Sequence, residues 1–291
     1  MDVSHILESL NDAQRNAVAG PMGSSLVLAG AGSGKTRVLT HRIAWLIQTE
    51  DISPFSILAV TFTNKAAAEM RGRIESLLTM PIRGMWVGTF HSIAHRLLRM
   101  HWQEAGLPQN FQILDADDQL RLVKRVMKNL DLDEKKWPAR QAVWFINGQK
   151  DEGLRPKNIE DYGDLYIKTH LQVYRAYEEA CQRGGMVDFA ELLLRAHELW
   201  LNNPVMLKHY QDRFSVLLVD EFQDTNGLQM RLLQNLVSGD NNVCVVGDDD
   251  QSIYGWRGAE VTNILEFERF FPSPKVIKLE ENYRSTQPIM E

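Results

Sequence analysis

A glycine-rich turn between a strand pattern and a helix pattern is the feature that most constrains how this chain folds. The turn reads Ala29-Gly30-Ala31-Gly32-Ser33-Gly34-Lys35-Thr36. Its glycines let backbone N–H groups point at a phosphate with no Cβ in the way, and the helix that follows adds the positive end of its dipole. This context predicts a phosphate-binding loop and argues against a glycine-rich turn with an incidental lysine. The first position of the pattern is Ala29 instead of glycine, and a small side chain fits there.

The loop predicts particular contacts with a nucleotide. Lys35 is expected to reach the β- and γ-phosphates, and Thr36 to offer its hydroxyl to Mg²⁺. A second apolar run, residues 216–219, ends in Asp220 and Glu221, at the strand end where α/β sheets bind ligands. Asp220 is expected to hold Mg²⁺, and Glu221 to orient and deprotonate an attacking water. Alone, this acidic pair is equally typical of a solvated turn, but the phosphate loop earlier in the chain favours the site.

Six short apolar runs predict the strands of a buried parallel sheet, since strands covered on both faces are apolar almost throughout. They are residues 26–29, 57–61, 85–88, 216–219, 243–246 and 276–279. Between about residues 92 and 210 helical spacing dominates, with helix starts at Asp115 and Asp188. The fold prediction is therefore an α/β domain that carries an inserted, mostly α-helical domain.

Composition excludes several classes of protein. The net charge of −6 does not fit a globally basic nucleic-acid binder, so such binding needs a local groove in which aromatic stacking supplies affinity. The two cysteines, Cys181 and Cys244, suggest neither a disulfide framework nor a zinc site. The first residues lack a signal-peptide pattern, and no apolar run is long enough to span a bilayer. The expected location is the reducing cytoplasm.

Several further motifs resemble those of superfamily 1A DNA helicases, the UvrD/Rep/PcrA family. Besides the loop and the acidic motif Asp220-Glu221-Phe222-Gln223-Asp224, they occupy residues 10–15, 60–70, 88–92, 246–259 and 279–285. The resemblance covers the whole chain. It implies two RecA-like lobes, each with an insertion, and an N-terminal fragment here. Residues 1–91 and 214–280 are the expected first lobe (a P-loop NTPase sheet), 92–213 the helical insertion, and 281–291 the start of the second lobe.

The resemblance also implies roles for individual residues. Gln14 is similar to the glutamine that reads the adenine edge, and its amide can both donate and accept. Arg37 and Tyr283 resemble the pair that sandwiches adenine. Gln251 resembles the γ-phosphate sensor, and Arg284 an arginine that stabilises charge on that phosphate. The implied single-strand track contains Phe62, Asn64, His91, Tyr254, Trp256 and Arg257.

Four of the DNA candidates have a structural alternative. Trp256 lies between glycines in a predicted loop, where stacking on a base is expected, or it packs beneath the loop. Phe62, with Lys65 as a phosphate contact, is either a stacking residue or a core phenylalanine. His91 is either a phosphate donor or a core histidine. Phe189, which opens a helix, is also a DNA-site candidate, although most aromatic residues at helical spacing belong to a core.

The family implies an ATP-dependent 3′–5′ DNA helicase of the DNA-repair type. Its cofactors would be ATP and Mg²⁺, and its partners single-stranded DNA, junctions of single- and double-stranded DNA and DNA repair proteins, with no membrane. Two alternatives stay open: a small-molecule kinase, for which no acceptor motif is found, and a non-catalytic module that binds nucleotide or single-stranded DNA. Residues 285–291 resemble a helix start, so we expect a piece of a longer protein, and the later family motifs are absent. The isolated fragment is therefore not expected to unwind DNA.

Overall fold

The computed structural model describes residues 2–30, 32–239, 242–248, 267–271 and 273–279. The chain divides into two compact units. The sheet unit comprises Met1–Ile93, Pro204–Thr225 and Gln229–Glu291, and the helical unit comprises Ala94–Asn203 and Asn226–Leu228.

Strands and helices alternate through much of the sheet unit, whereas the helical unit is mostly helix. The strands are β1 Ser25–Ala29, β2 Ile57–Thr61, β3 Trp86–Thr89, β4 Gln112–Ile113, β5 Met186–Val187, β6 Val216–Val219, β7 Asn242–Gly247 and β8 Lys275–Leu279. The helices are α1 Ser4–Leu7, α2 Asp12–Ala19, α3 Lys35–Thr49, α4 Asn64–Leu78, α5 Phe90–Met100, α6 Ala116–Asn129, α7 Ala139–Asp151, α8 Leu165–Gly184, α9 Phe189–Asn202, α10 Pro204–Arg213, α11 Gly227–Leu236 and α12 Phe267–Phe270. Short 3₁₀ turns cover Pro54–Ser56, Pro156–Asn158 and Phe222–Asp224.

The sheet unit is built on a six-stranded sheet of order β3-β2-β6-β7-β1-β8, and each pair of neighbours is parallel. All six predicted strands are present, with ends within one residue of the expected positions. The mixed α/β fold with a parallel sheet is therefore confirmed. Since the strands are parallel, the carboxyl ends of β1 and β6 lie at the same edge of the sheet, with β7 between them.

An apolar core packs one face of the sheet against its helices, because alternate side chains of each strand point to that face. Its buried residues include Val27, Ala59, Leu218 and Val246 from the sheet, Val38 and Ile43 from α3, and Met70 and Ile74 from α4. The helix α10 also belongs to this unit, although the sequence-based boundary falls at residue 213. The reason is packing: the ring of Tyr210 lies 5.9 Å from that of Trp86 on β3.

The helical unit has a core of its own between α6, α7 and α8. Val123, Ala142 and Tyr174, one from each helix, are fully buried in it. Both expected helix starts are present: Asp115 accepts a hydrogen bond from the backbone N–H of Asp118, and Asp188 accepts one from that of Glu191. Among the helices that the structure describes, none is both long enough and apolar enough to cross a membrane.

Candidate functional site

The glycine-rich loop joins β1 to α3 in a conformation that needs glycine. Gly32 and Gly34 have φ of 77° and 84°, in the left-handed region that side chains with a Cβ rarely adopt. A Cβ on Gly34 would also lie 2.6 Å from Nε2 of Gln14. Inside the turn, Oγ of Ser33 donates to the carbonyl of Gly30 at 2.6 Å. The loop is therefore held by an internal hydrogen bond, and α3 begins directly after it at Lys35.

The acidic residues after β6 meet this loop across the sheet edge. The backbone N–H of Asp220 donates to the carbonyl of Val60 at 2.9 Å, so the strand pairing itself sets the position of Asp220. The hydroxyl of Thr36 then donates to Oδ2 of Asp220 at 3.2 Å, and Nζ of Lys35 lies 3.7 Å from Oε2 of Glu221. The two sequence motifs predicted to share a site are thus in direct contact.

Asp220 is a buried carboxyl with unusual proton affinity. Only 3% of it is exposed. Burial raises its pKa to about 6 and the neighbouring Glu221 carboxylate adds to the rise, while hydrogen bonds from Glu221 N–H and Thr36 and the charge of Lys35 oppose it. Since the opposing groups do not restore the ordinary value of 3.8, a further positive charge here would stabilise the ionised form.

Glu221 is held by a glutamine that the sequence reading did not single out. Glu221 itself has φ of 50°, and this left-handed turn ends the strand. Nε2 of Gln223 donates to Oε2 of Glu221 at 2.6 Å, and Oε1 of Gln223 accepts from the backbone N–H of Asp248 at 3.0 Å. Gln223 is 1% exposed, so its amide ties the expected base to the end of β7. The sequence signal that could have identified Gln223 was its place in the acidic motif.

Gln14 is bound at both ends of its side-chain amide. It is 1% exposed; its Oε1 accepts from the N–H of Asn11 at 3.1 Å and its Nε2 donates to the carbonyl of Ser33 at 3.0 Å. The side chain therefore links the cap of α2 to the phosphate loop. Arg37, in the first turn of α3, is half-buried.

A second residue that the sequence reading missed, Arg42, holds α2 in place. It is 4% exposed and donates to the carbonyls of Val18, Gly20 and Pro21 at 2.8, 2.5 and 3.1 Å. These bonds fasten the end of α2, and with it Gln14, to α3. The signal was its position on the apolar stripe of α3 formed by Leu39, Ile43 and Leu46.

Some of the predicted site residues lie outside the described residues. They are Ala31, Gln251, Tyr254, Trp256, Arg257, Tyr283 and Arg284. Their roles in nucleotide and DNA binding stay predictions from the sequence.

The described DNA candidates of the sheet unit lie just after β2 and β3. Phe62 follows β2, is half-buried, and its ring lies 5.6 Å from that of Phe90 in an edge-on arrangement. Asn64 and Lys65 are exposed in the first turn of α4. His91 is half-buried in the first turn of α5, and burial lowers the pKa of its imidazole. The ring of Phe62 is thus neither fully buried in a core nor fully exposed.

The remaining candidate, Phe189, belongs to the helical unit. It is the first residue of α9 and is 50% exposed, so it is not a core aromatic. Both cysteines are buried and free, and among the described residues no group of three or more His, Cys, Asp or Glu side chains is placed to hold a metal. A magnesium site made of one hydroxyl, one carboxylate and phosphate oxygens does not need such a group.

Comparison with known proteins agrees with these motifs. Residues 10–272 match the UvrD/REP helicase N-terminal domain. The chain is 63% identical over 290 residues to DNA helicase II of Escherichia coli, covering 100% of this chain and 40% of that relative. It is 58% identical over 294 residues to DNA helicase II of Haemophilus influenzae, with 100% and 40% covered. It is 44% identical over 293 residues to ATP-dependent DNA helicase PcrA of Leuconostoc citreum, with 100% and 39% covered.

The chain thus spans about 40% of the length of the helicase II relatives. The resemblance inferred from the motifs is confirmed, since the matched region runs through nearly the whole chain. This chain belongs to the UvrD/REP helicase N-terminal domain family.

Proposed function

We propose that this chain is the nucleotide-binding motor lobe of an ATP-dependent DNA helicase. The observation that carries the proposal is the contact between the phosphate loop and the acidic motif, in which Thr36 donates to Asp220 at 3.2 Å across a separation of 184 residues. A hydroxyl and a carboxylate at the end of a phosphate loop are the pair that an NTPase uses to hold Mg²⁺ beside the phosphates.

Mg²⁺ fits the residues that are present. The site offers hard oxygen donors, which this ion prefers. Burial and the neighbouring Glu221 carboxylate raise the pKa of Asp220, and a cation bound there would oppose that rise. We infer that Thr36 and Asp220 would hold the ion. Bound there, it would neutralise charge on the β- and γ-phosphates and help orient them for displacement.

The chain's own residues would do the remaining chemistry. The loop residues 29–36 would cradle the phosphates through their N–H groups, and Lys35 would leave Glu221 to contact the β- and γ-phosphates. Glu221 would then orient a water in line with the γ-phosphate and accept its proton. The amide of Gln223 would keep one carboxylate oxygen occupied, which directs the other toward the water.

We assign further nucleotide contacts by family resemblance. Gln14 and Arg37 would contact the adenine together with Tyr283. Gln251 would sense the γ-phosphate and Arg284 would stabilise its charge. For Gln14 this role requires that its amide exchange a present partner, Asn11 or Ser33, for the base.

DNA binding is proposed for the aromatic and basic residues beyond the strand ends. Single-stranded DNA would run over Phe62, Asn64, Lys65 and His91, over Phe189, and over the sequence-predicted Tyr254, Trp256 and Arg257. Stacking would supply most of the affinity, which fits the acidic net charge of −6. Because the similar proteins are DNA helicases, we extend the proposal to 3′–5′ unwinding at junctions of single- and double-stranded DNA, DNA repair partners and a cytoplasmic location.

For residues 1–291 alone we propose binding without unwinding, the non-catalytic alternative. These residues include none of the later family motifs, which supply another arginine to ATP. Such an arginine contributes roughly 10³–10⁵ in rate, and an uncovered site admits water that weakens each electrostatic contact. Weak ATP binding and residual hydrolysis at best are therefore expected.

The base assignment is tested with Glu221→Gln in the full-length protein, because residues 1–291 alone are expected to hydrolyse ATP only residually. The variant should bind Mg-ATP as the unaltered protein does, yet lose ATP hydrolysis, including its stimulation by single-stranded DNA. Equal ATPase rates would exclude Glu221 as the base.

The binding-only proposal is tested by unwinding of a 3′-tailed duplex. Robust ATP-dependent unwinding by residues 1–291 at catalytic concentrations would contradict it. ATP hydrolysis that is stimulated by a small-molecule acceptor instead of DNA would favour a kinase.

A further inference from the structure

A fully buried carboxylate stands directly before the exposed aromatic ring of Phe189. Asp188 is 2% exposed and is the N-cap of α9. Its Oδ2 accepts from Nζ of Lys150 at 2.8 Å, from the hydroxyl of Tyr177 at 2.6 Å and from Nε2 of Gln119 at 3.3 Å, and its Oδ1 accepts from the N–H of Glu191 at 2.7 Å. Donors from α6, α7, α8 and α9 thus converge on one side chain.

Ion pairs of Glu191 with Lys150 and Arg155 also hold the first turn of α9. Lys150, also 2% exposed, lies 3.0 Å from Oε2 of Glu191. Arg155 holds Glu191 with two hydrogen bonds of 2.7 and 2.8 Å and reaches Glu178 at 2.6 Å. Burial alone would lower the pKa of Lys150, but the carboxylates of Asp188 and Glu191 outweigh it and raise that pKa above its ordinary value.

Stability alone does not account for this arrangement. Removing charged groups from water costs several kcal/mol per ion, and apolar side chains of similar volume often stabilise a protein as well or better. In some proteins a buried ion cluster instead fixes the position of the groups attached to it. Here the attached group is the first turn of α9, which begins with a ring that is 50% exposed.

We propose that Tyr177 and Lys150, acting through Asp188, are positioning residues that hold the ring of Phe189 ready to stack on a base of single-stranded DNA. The inference rests on the proposed function, since it takes Phe189 as a DNA contact. A ring on a loosely held helix end would lose freedom when a base stacks on it, and that loss lowers affinity. The cluster removes the freedom before DNA arrives.

A pair of tyrosines on α8 provides a matched test. Tyr177 and Tyr174 are both fully buried; the first donates to Asp188, and the second donates to the carbonyl of Leu154 at 2.8 Å. Tyr177→Phe removes one hydrogen bond to Asp188 and keeps the ring, which lies 5.2 Å from Nζ of Lys150. Tyr174→Phe removes a buried hydroxyl from the same helix without touching Asp188.

The readout is photo-crosslinking of the chain to an oligothymidylate that carries 5-iododeoxyuridine, with each crosslink located by mass spectrometry. The measured quantity is the crosslink yield at Phe189 divided by the yield at Phe62. A general loss of stability lowers both yields, whereas a displaced Phe189 lowers the ratio. We expect Tyr177→Phe to lower the ratio roughly threefold or more, because a hydrogen bond to a charged group changes an equilibrium by at least that factor, and Tyr174→Phe to leave it unchanged.

The other outcomes separate the two proposals. Equal ratios in the two variants would overturn the positioning role and leave DNA binding by Phe189 intact. Crosslinks at Phe62 with none at Phe189 in the unaltered chain would overturn both the positioning role and the DNA contact of Phe189. No crosslinks at either residue would overturn the proposed DNA track and this inference with it.

Lys150 is tested in the same assay. Lys150→Met should lower the ratio further than Tyr177→Phe, and Lys150→Arg should restore part of it because it returns a charge to Asp188. If Lys150→Met does not fold, the tyrosine pair decides the question alone. A ratio in folded Lys150→Met equal to that of the unaltered chain would contradict the role of Lys150.

Discussion

The buried carboxyl of Asp220 makes the stability of the sheet unit depend on pH in a defined direction. Its pKa is about 6 in the folded chain against an ordinary 3.8, because burial and the Glu221 carboxylate disfavour the charge. The folded state therefore binds the proton more tightly than the unfolded state does. The carboxyl contributes stability that is fully present below pH 3.8 and is lost as pH rises through about 6. The loss amounts to about 3 kcal/mol, since one pKa unit corresponds to about 1.4 kcal/mol.

The substitution Asp220→Asn removes this titration with little change in shape. Asparagine keeps an oxygen to accept from the N–H of Glu221, and the hydroxyl of Thr36 can accept from the new amide. We expect the variant to be more stable than the unaltered chain above pH 7, by up to about 3 kcal/mol, and this difference to shrink toward pH 4. Without nucleotide, the variant should thus gain stability while it loses affinity for Mg²⁺.

The assay measures the free energy of unfolding by hydrogen exchange in increasing urea, corrected for the intrinsic pH dependence of exchange. Peptides from β1 and β6 are followed because they report on the sheet unit alone. Asp212→Asn is the control: Asp212 is exposed on α10 in the same unit and pairs with Lys208. It shows what the loss of an exposed carboxylate of the same unit does in this assay. A constant difference between Asp220→Asn and the unaltered chain from pH 4 to pH 8 would refute the reasoning.

Two further predictions concern the loop and the DNA track. Gly34→Ala should destabilise the sheet unit by about 1–2 kcal/mol, the cost of a left-handed residue with a Cβ, whereas Gly30→Ala, where a Cβ meets open space, should cost less than about 0.5 kcal/mol; equal thermal unfolding of the two variants would contradict this. Trp256→Ala should weaken binding of single-stranded DNA by about 1–3 kcal/mol with little change in salt dependence, and an unchanged affinity in a fluorescence titration would show that Trp256 is a packing residue.

The sheet and the phosphate loop were predictable because their signals are local. A strand buried on both faces is apolar along its length, and a loop that turns N–H groups inward needs glycine at particular positions, so β1, β6 and Gly34 could be located from short stretches of sequence. The carboxyl ends of parallel strands share one edge of the sheet. The sequence therefore predicted that Thr36 and Asp220 lie in one site.

The partners of individual side chains were less predictable, because they come from distant parts of the chain. The spacing of Asp188 and Glu191 predicted a helix start, and the backbone of Glu191 does donate to Asp188. The Glu191 side chain, however, binds Lys150 and Arg155, and Asp188 binds Tyr177. Likewise, the sequence shows Gln223 only as a member of the acidic motif. The fold shows that its side-chain amide hydrogen-bonds both Glu221 and the backbone of Asp248.

Nucleotide binding tests the central claim most directly: that the loop after β1 and the carboxylates after β6 form one Mg-ATP site. Isothermal titration of residues 1–291 with ATP should show weak binding that requires Mg²⁺. Lys35→Ala should abolish it, because the charge facing two phosphates is lost. Lys65→Ala, which removes an exposed lysine assigned to DNA, should leave it unchanged. Binding that persists at equal affinity in Lys35→Ala, or that does not depend on Mg²⁺, would contradict the account.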